Sequence, residues 1–378
     1  MYNQRVHPYK KGVQTSLHAL FPSSPSVFLH FHPHLFAETP FYFYLCKQNY
    51  KNHFPQVPKT MIKKTWWLLA FCLTFMACGD DEMTPNGNSV PNKNANAYVA
   101  EAVCEKTNVD YLKIAQRLEM PRLKNESDLF VVHTLPNGTV NYCMEYDYGK
   151  LAARWTAYQW YTGFSSKDSH WNRNAWRTGT TFNGFGGNGD PFQPDPLIPR
   201  DFQTTLEDHA SNGHDRGHML GSADRLNSKE ANGQTFYLSN MHPQLSGFNQ
   251  RGVWYTLEER LRKNYDTTAF RDTLYVVKGG TIDQSNYTYT KGQSGRNLLT
   301  PKYFFMALLC KNKSTSQGGY KAIAFWMEHK ANTETNVAKY AISIDELEKK
   351  TGIDFFCNLP DDIEAVVESN MIPSTWGL

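Results

Sequence analysis

Gly213-His214-Asp215-Arg216-Gly217-His218-Met219 sets two imidazoles, a carboxylate and a guanidinium between two glycines. Glycine costs about 1 kcal/mol inside a helix, so this spacing argues against helical structure. Asp215, Arg216 and His218 are therefore expected to project from a strand end or turn into a site. His209, His214 and His218 could be read as a zinc site. The glycines disfavour the helix that an i, i+4 histidine pair needs, however, and no HExxH glutamate lies between them.

Further along come Ser239-Asn240-Met241-His242-Pro243-Gln244, Asn249-Gln250, Trp254 and Leu257-Glu258. With Asp215-Arg216-Gly217-His218, these ordered segments resemble the DNA/RNA non-specific endonucleases, the sugar-non-specific nucleases of the ββα-metal group that include endonuclease G. The stretch from Asn249 to Trp254 is one residue longer than the usual pattern. Glu258, rather than Glu259, keeps the family's Trp-to-Glu spacing. The resemblance runs from roughly residue 140 to 367. It implies an α+β fold, with a ββα-metal nuclease core on a central, mainly antiparallel sheet flanked by helices.

The resemblance also implies roles. His218 would be the general base, since a neutral imidazole accepts protons near pH 7. Asn249 would be the one direct protein ligand to a hydrated Mg2+ (or Mn2+), a hard ion that prefers oxygen and keeps several waters. A helix N-cap is the plainer reading of Asn249. Glu258 would act on the metal through water, and Arg216 would contact the phosphate with its planar fork. Asn240 would help to fix the catalytic site beside the histidine, and Asp215 would hold the turn. The family carries a substrate-contacting arginine upstream of an Asp-Pro pair, here Asp195-Pro196. The spacing is not matched, so Arg173 and Arg177 are both candidates, with a plain surface arginine the competing reading. His242 receives no role.

Composition limits what else the chain can be. It has 378 residues, 40% of them hydrophobic, which suits one large domain or two smaller ones. The formal net charge is +3, but the first 78 residues hold 8 Lys/Arg and 1 Asp/Glu. Without them 31 basic residues face 35 acidic ones, so nucleic-acid binding has to come from a local basic cleft. Met61-Ile62-Lys63-Lys64, the apolar run from Trp66 to Ala77, and Cys78 read as a lipoprotein signal peptide over residues 61–78. Cys78 would be the lipid attachment site. Residues 1–60 then read as an extension from a start codon assigned too far upstream, and 79–97 as a flexible tether. Residues 98–125 read as a helical addition, with helical spacing from Tyr98 to Leu118, and 126–378 as the endonuclease domain. An exported protein, lipid-anchored at the outer membrane or surface of a Gram-negative bacterium, is expected. Cys104, Cys143, Cys310 and Cys357 would then include at least one disulfide.

Pro136-Asn137-Gly138 between two strand-like runs predicts a hairpin. Further strands are expected over Trp155–Tyr161, Leu274–Gly280, Tyr303–Leu309 and Ile323–Met327, with helices over Val253–Lys263 and Ile344–Lys350. Residues 162–200 are expected to form a long functional loop. The function expected is metal-dependent hydrolysis of DNA and RNA with little sequence preference. The alternative is a catalytically inactive lipoprotein that binds nucleic acid or polyphosphate on the same fold. No protein partner is expected beside the DNA and RNA substrate and the membrane reached through the lipid.

Overall fold

Asn137-Gly138 does turn the chain. Gly138 takes φ +88° and its N–H donates to Leu135 O, and antiparallel strands leave on either side. The structure, a computed structural model, describes residues 92–126, 128–313 and 319–378. The readings of residues 1–91, Cys78 among them, lie outside the described residues.

In chain order, β1 (Ala102–Cys104), α1 (Tyr111–Ala115), β2 (Asp128–Thr134), β3 (Val140–Asp147) and β4 (Ala152–Tyr161) precede the long loop. Beyond it come β5 (Asp215–His218), α2 (Lys229–Gln234), β6 (Met241–Gln244), α3 (Ser246–Asn249) and α4 (Val253–Arg260). β7 (Thr273–Gly280), β8 (Tyr287–Lys291), β9 (Asn297–Pro301) and β10 (Tyr303–Lys311) follow. The last elements are β11 (Tyr320–Glu328), β12 (Ala341–Ile342), α5 (Ile344–Thr351) and α6 (Asp361–Ser369).

Eight strands make the main sheet in the order β1-β2-β3-β4-β7-β10-β11-β12. Within this sheet, among the described residues, β1 and β2 pair in parallel and every other neighbouring pair is antiparallel. The central strands are covered on both faces, which is why they read as unbroken apolar runs. Alternation sorts successive side chains to opposite layers. Val276 and Met306 pack with Trp254 and Leu257 of α4, while Val277 and Phe305 pack with Leu347 of α5 and Val367 of α6. β5 and β6 form a separate antiparallel ribbon, and with α4 they make the expected ββα unit.

Three expectations are corrected. The helix expected over Tyr98–Leu118 is confined to α1, and β1 instead extends the sheet. The free edge of β2 offers main-chain partners that outweigh weak helical spacing. Residues 92–97, expected in a flexible tether, are docked: the Asn96 amide is buried and donates to Ala115 O (2.9 Å) and Pro121 O (3.1 Å). The disulfide is absent, since all four cysteines are free. Cys104 pairs with Val132, which in turn pairs with Cys143, so these two stand two strand spacings apart. That is roughly 9.5 Å, against a limit of about 7 Å for a bridge. Burial pushes the Cys310 thiol up to about 12. Alkylation of denatured, unreduced protein followed by peptide mapping should therefore label Cys104, Cys143, Cys310 and Cys357. A cross-linked pair among them would contradict this arrangement.

Candidate active site

β5 delivers the three polar residues of the opening stretch because Gly217 lets the ribbon close. A Cβ at 217 would lie 2.2 Å from Gln244 Oε1, and Gln244 is fully buried. Asp215 accepts from Ser246 Oγ (2.7 Å), Asn249 Nδ2 (3.1 Å) and Gln250 Nε2 (2.9 Å). It thereby ties the start of the helical segment to β5, the holding role the sequence predicts. Asn249 spends its amide N–H on that contact, and its Oδ1 carries no hydrogen bond. It closes α3 and is not the cap of α4, a position taken by Gly252.

Arg216, His218 and Asn249 line one cleft of about 610 Å³, with Asp190, His209 and His214. The His218 ring sits against Phe192 (5.4 Å) and Phe236 (5.2 Å), and its Nε2 is buried without a hydrogen-bond partner. Burial is the main cause that pulls its pKa down, to about 3; Asp224 opposes this, and Arg216, Lys278 and Arg173 reinforce it. The imidazole is therefore neutral across the physiological range. Arg216 lies over the Phe192 ring (3.8 Å) and pairs with Asp190 (3.1 Å). Arg173 and Arg177 line an adjoining hollow that shares Phe192 and His218 with the cleft. Their short 3-10 turn is anchored where Trp176 donates to Asn232 Oδ1 (2.8 Å). Both upstream candidates thus stand beside the histidine.

Asn240 and Glu258 stand apart from these residues. Asn240 is fully buried and spends its side chain on main chain, accepting from Leu220 N (2.9 Å) and donating to Leu220 O (2.9 Å) and Thr235 O (2.8 Å). It braces the segment after His218 without lining the cleft. Glu258 points inward from α4 and pairs through Oε1 with Lys278 (3.0 Å), whereas Glu259 pairs with Arg262 and Lys263. His242 is buried against Ala153 O (3.0 Å). The zinc reading is not met: His209 bonds Thr204, His214 bonds Asn212 O, and the three histidines do not converge. Among the described residues, the one group of acidic, Cys or His side chains close enough for a metal is Asp345, Glu348 and Glu368, on α5 and α6. Those helices cover the face of the sheet opposite α4.

Lys278 was missed. A lysine after Leu274-Tyr275-Val276-Val277, inside a run otherwise apolar, was the available signal. It is completely buried between Glu258 and Asp224 (3.4 Å). Burial alone would lower its pKa, but Glu258, Tyr158 and Asp224 more than offset that and raise it.

The sequence model of the family described as DNA/RNA non-specific endonuclease matches residues 127–362. The chain belongs to that family. It is 32% identical over 175 residues to "Nuclease 1, mitochondrial" of Schizosaccharomyces pombe, covering 45% of this chain and 54% of that protein. It is 33% identical over 174 residues to "Nuclease C1" of Cunninghamella echinulata var. echinulata, covering 44% and 67%. The chain thus spans little more than half the length of the first relative. A solved structure, the EndoG/EndoGI complex, aligns with TM-score 0.48 and 20% identity, covering 67% of this chain and 94% of that one.

Two expectations are overturned here. Mitochondrial nucleases among the relatives contradict the expected location at a Gram-negative outer membrane or surface. Among the described residues, no helix is long and apolar enough to cross a membrane. The expectation of no protein partner is not kept either: the solved EndoG/EndoGI structure is a complex of that protein with a second one.

The packing at Gly217 is directly testable. Gly217→Ala should lower stability by about 1–3 kcal/mol, the usual cost of overpacking, read as a shift of the denaturant midpoint. An unchanged midpoint would mean that Gln244 yields at no cost.

Proposed function

We propose that the chain hydrolyses phosphodiester bonds of DNA and RNA with little sequence preference, His218 acting as general base. The observation that carries this reading is a neutral histidine placed among Arg216, Arg173 and Arg177, in the cleft that also holds the uncommitted Oδ1 of Asn249. Arg216 offers its guanidinium to the phosphate, exchanging its exposed Asp190 partner for substrate oxygens. Arg173 and Arg177 hold the neighbouring stretch of strand by its phosphates, contacts that carry no sequence information. His218 takes the proton from the attacking water.

The donor set fits a hard divalent cation, Mg2+ or Mn2+. Asn249 Oδ1 would hold it directly, while Glu258, turned inward to Lys278 and outside the cleft lining, would act on it only through water. When bound, such an ion supplies Lewis acidity toward the scissile phosphate and the leaving oxygen. Asp215 keeps the Asn249 carbonyl exposed to that position by occupying its N–H, and Lys278 holds Glu258. Asn240 contributes as a positioning residue through Leu220.

A metal titration of cleavage rate separates these roles. His218→Ala should lose about 10²- to 10⁴-fold in rate and still bind the cation. Asn249→Ala should weaken binding, so that higher magnesium or manganese partly restores cleavage. Loss of cation binding in His218→Ala, with Asn249→Ala unaffected, would overturn the assignment. The pH profile offers a second check. With the free-enzyme pKa of His218 pulled down to about 3, kcat/KM should show no acid limb near 6.5. A limb there would mean the imidazole titrates normally.

A further inference from the structure

Buried carboxylates in the described residues are almost all matched by a base. Asp224 meets Arg262 (2.7 Å) and Lys278, Asp195 meets His133 (3.0 Å), and Asp266 meets Arg271. Asp128, Glu145 and Asp147 face Arg154; Glu119 meets Arg117, and Asp208 meets Arg296. The exceptions are both on α6, Glu364 and Glu368, each 5% exposed. Glu364 accepts the amide of Asn94 (2.6 Å). Glu368 has neither hydrogen bond nor ion pair, and its Oε1 is buried.

That unpartnered carboxylate does not face an apolar wall. One oxygen each from Asp345, Glu348 and Glu368 lie within 4.8 Å of one another. Asp345 and Glu348, both half-buried, share a face of α5 at i, i+3. Glu348 gives one oxygen to Phe355 N (2.8 Å), and Asp345 has no partner. Three carboxylates this close cannot all stay ionised without positive charge among them. Burial and the neighbouring acids push Glu348 up to about 7 and Glu368 up to about 10, so the competitor for the cluster is a proton.

We infer that Asp345, Glu348 and Glu368 form a binding site for a hard divalent cation of the calcium type, clamping α6 to α5. Every donor is a carboxylate oxygen, and the half-buried Asp345 and Glu348 leave a side on which water can enter and complete the shell. Calcium accepts irregular sets of six to eight oxygens, whereas magnesium demands near-octahedral geometry and gives up its waters reluctantly. Ile344 and Leu347 of α5 and Val367 of α6 pack into the layer opposite α4, so the site is separate from the His218 cleft. It owes nothing to the proposed chemistry there.

Chelator-treated full-length chain, titrated with calcium by calorimetry and followed by thermal unfolding, tests the inference. The wild type should bind calcium and unfold at a higher temperature in its presence. Glu368→Gln should unfold near the wild-type temperature without calcium, because the carboxyl it replaces already carries a proton there. It should also bind calcium at least tenfold more weakly and lose the calcium-dependent rise. Asp345→Asn, at a half-buried position where folding is not at risk, should likewise lose that rise. Asn249→Ala should keep it. If calcium leaves the wild-type midpoint unmoved, the cluster carries a proton and the inference fails. It fails equally if Asn249→Ala loses the rise while the α5 and α6 variants keep it, since the ion then belongs to the cleft.

Discussion

The Lys278 ammonium joins three parts of the molecule on which the cleft is built. It comes from β7 in the middle of the sheet, Glu258 from α4, and Asp224 from the turn that follows His218. Asp224 also accepts from Gly221 N (3.3 Å) and Tyr158 Oη (3.2 Å) and pairs with Arg262, so the turn is tied to the sheet and the helix alike. Removing one partner of a buried charge pair costs about 3–5 kcal/mol, mostly as the penalty of the charge left behind. The ribbon and α4 are thereby held to one placement on the sheet, and the position of His218 follows from that placement.

The same charges set the electrostatics of the histidine. A buried imidazole resists protonation, and Arg216, Lys278 and Arg173 add positive field that resists it further. His209, His242 and His329 are each pulled down by burial as well, to about 4. As pH falls below about 6.5 the unfolded chain takes up protons that these four side chains refuse when folded, so each costs stability on the acid side. His133 works in the opposite sense. Burial would lower its pKa, but Asp195 and Glu105 more than offset that and raise it to about 10. Its contribution is full below about 6.5 and is lost as pH climbs toward 10. Among described residues that include several neutral histidines, His133 is thus held as an imidazolium between two carboxylates.

Much of the fold was legible because its signals are local. Asn137-Gly138 demands a turn that few other pairs supply, and the apolar runs of β4, β7, β10 and β11 are too short and too β-branched or aromatic for helices. The edges were not legible. β1 exists only because β2 leaves an open edge, and α6, with four acidic residues in nine, has too thin an apolar stripe to stand out. At the site, Arg216, His218 and Asn249 were readable from the order of short segments, and the structure brings them to one cleft. Asn240 and Glu258 were readable as residues of interest but not in their contacts. Both are consumed by groups distant in sequence, Leu220 and Lys278, and no spacing rule reports such partners.

Net charge illustrates the same divide between local and global properties. The chain beyond residue 78 is mildly acidic, which by itself disfavours a polyanionic substrate. Surface charges farther apart than a Debye length, about 8 Å at physiological salt, scarcely feel one another, so the total says little about one cleft. What matters there is that Arg216 in the cleft and Arg173 and Arg177 in the adjoining hollow flank His218, opposed by Asp215, which is tied up by three neutral donors, and by Asp190, whose pair with Arg216 is partly exposed and weakly held. Glu258 and Asp224, the nearest buried acids, are already neutralised by Lys278 and Arg262. The buried lysine thus removes negative charge from beneath the cleft while fixing its geometry. An acidic chain can in this way present a phosphate with a positive surface a few residues wide.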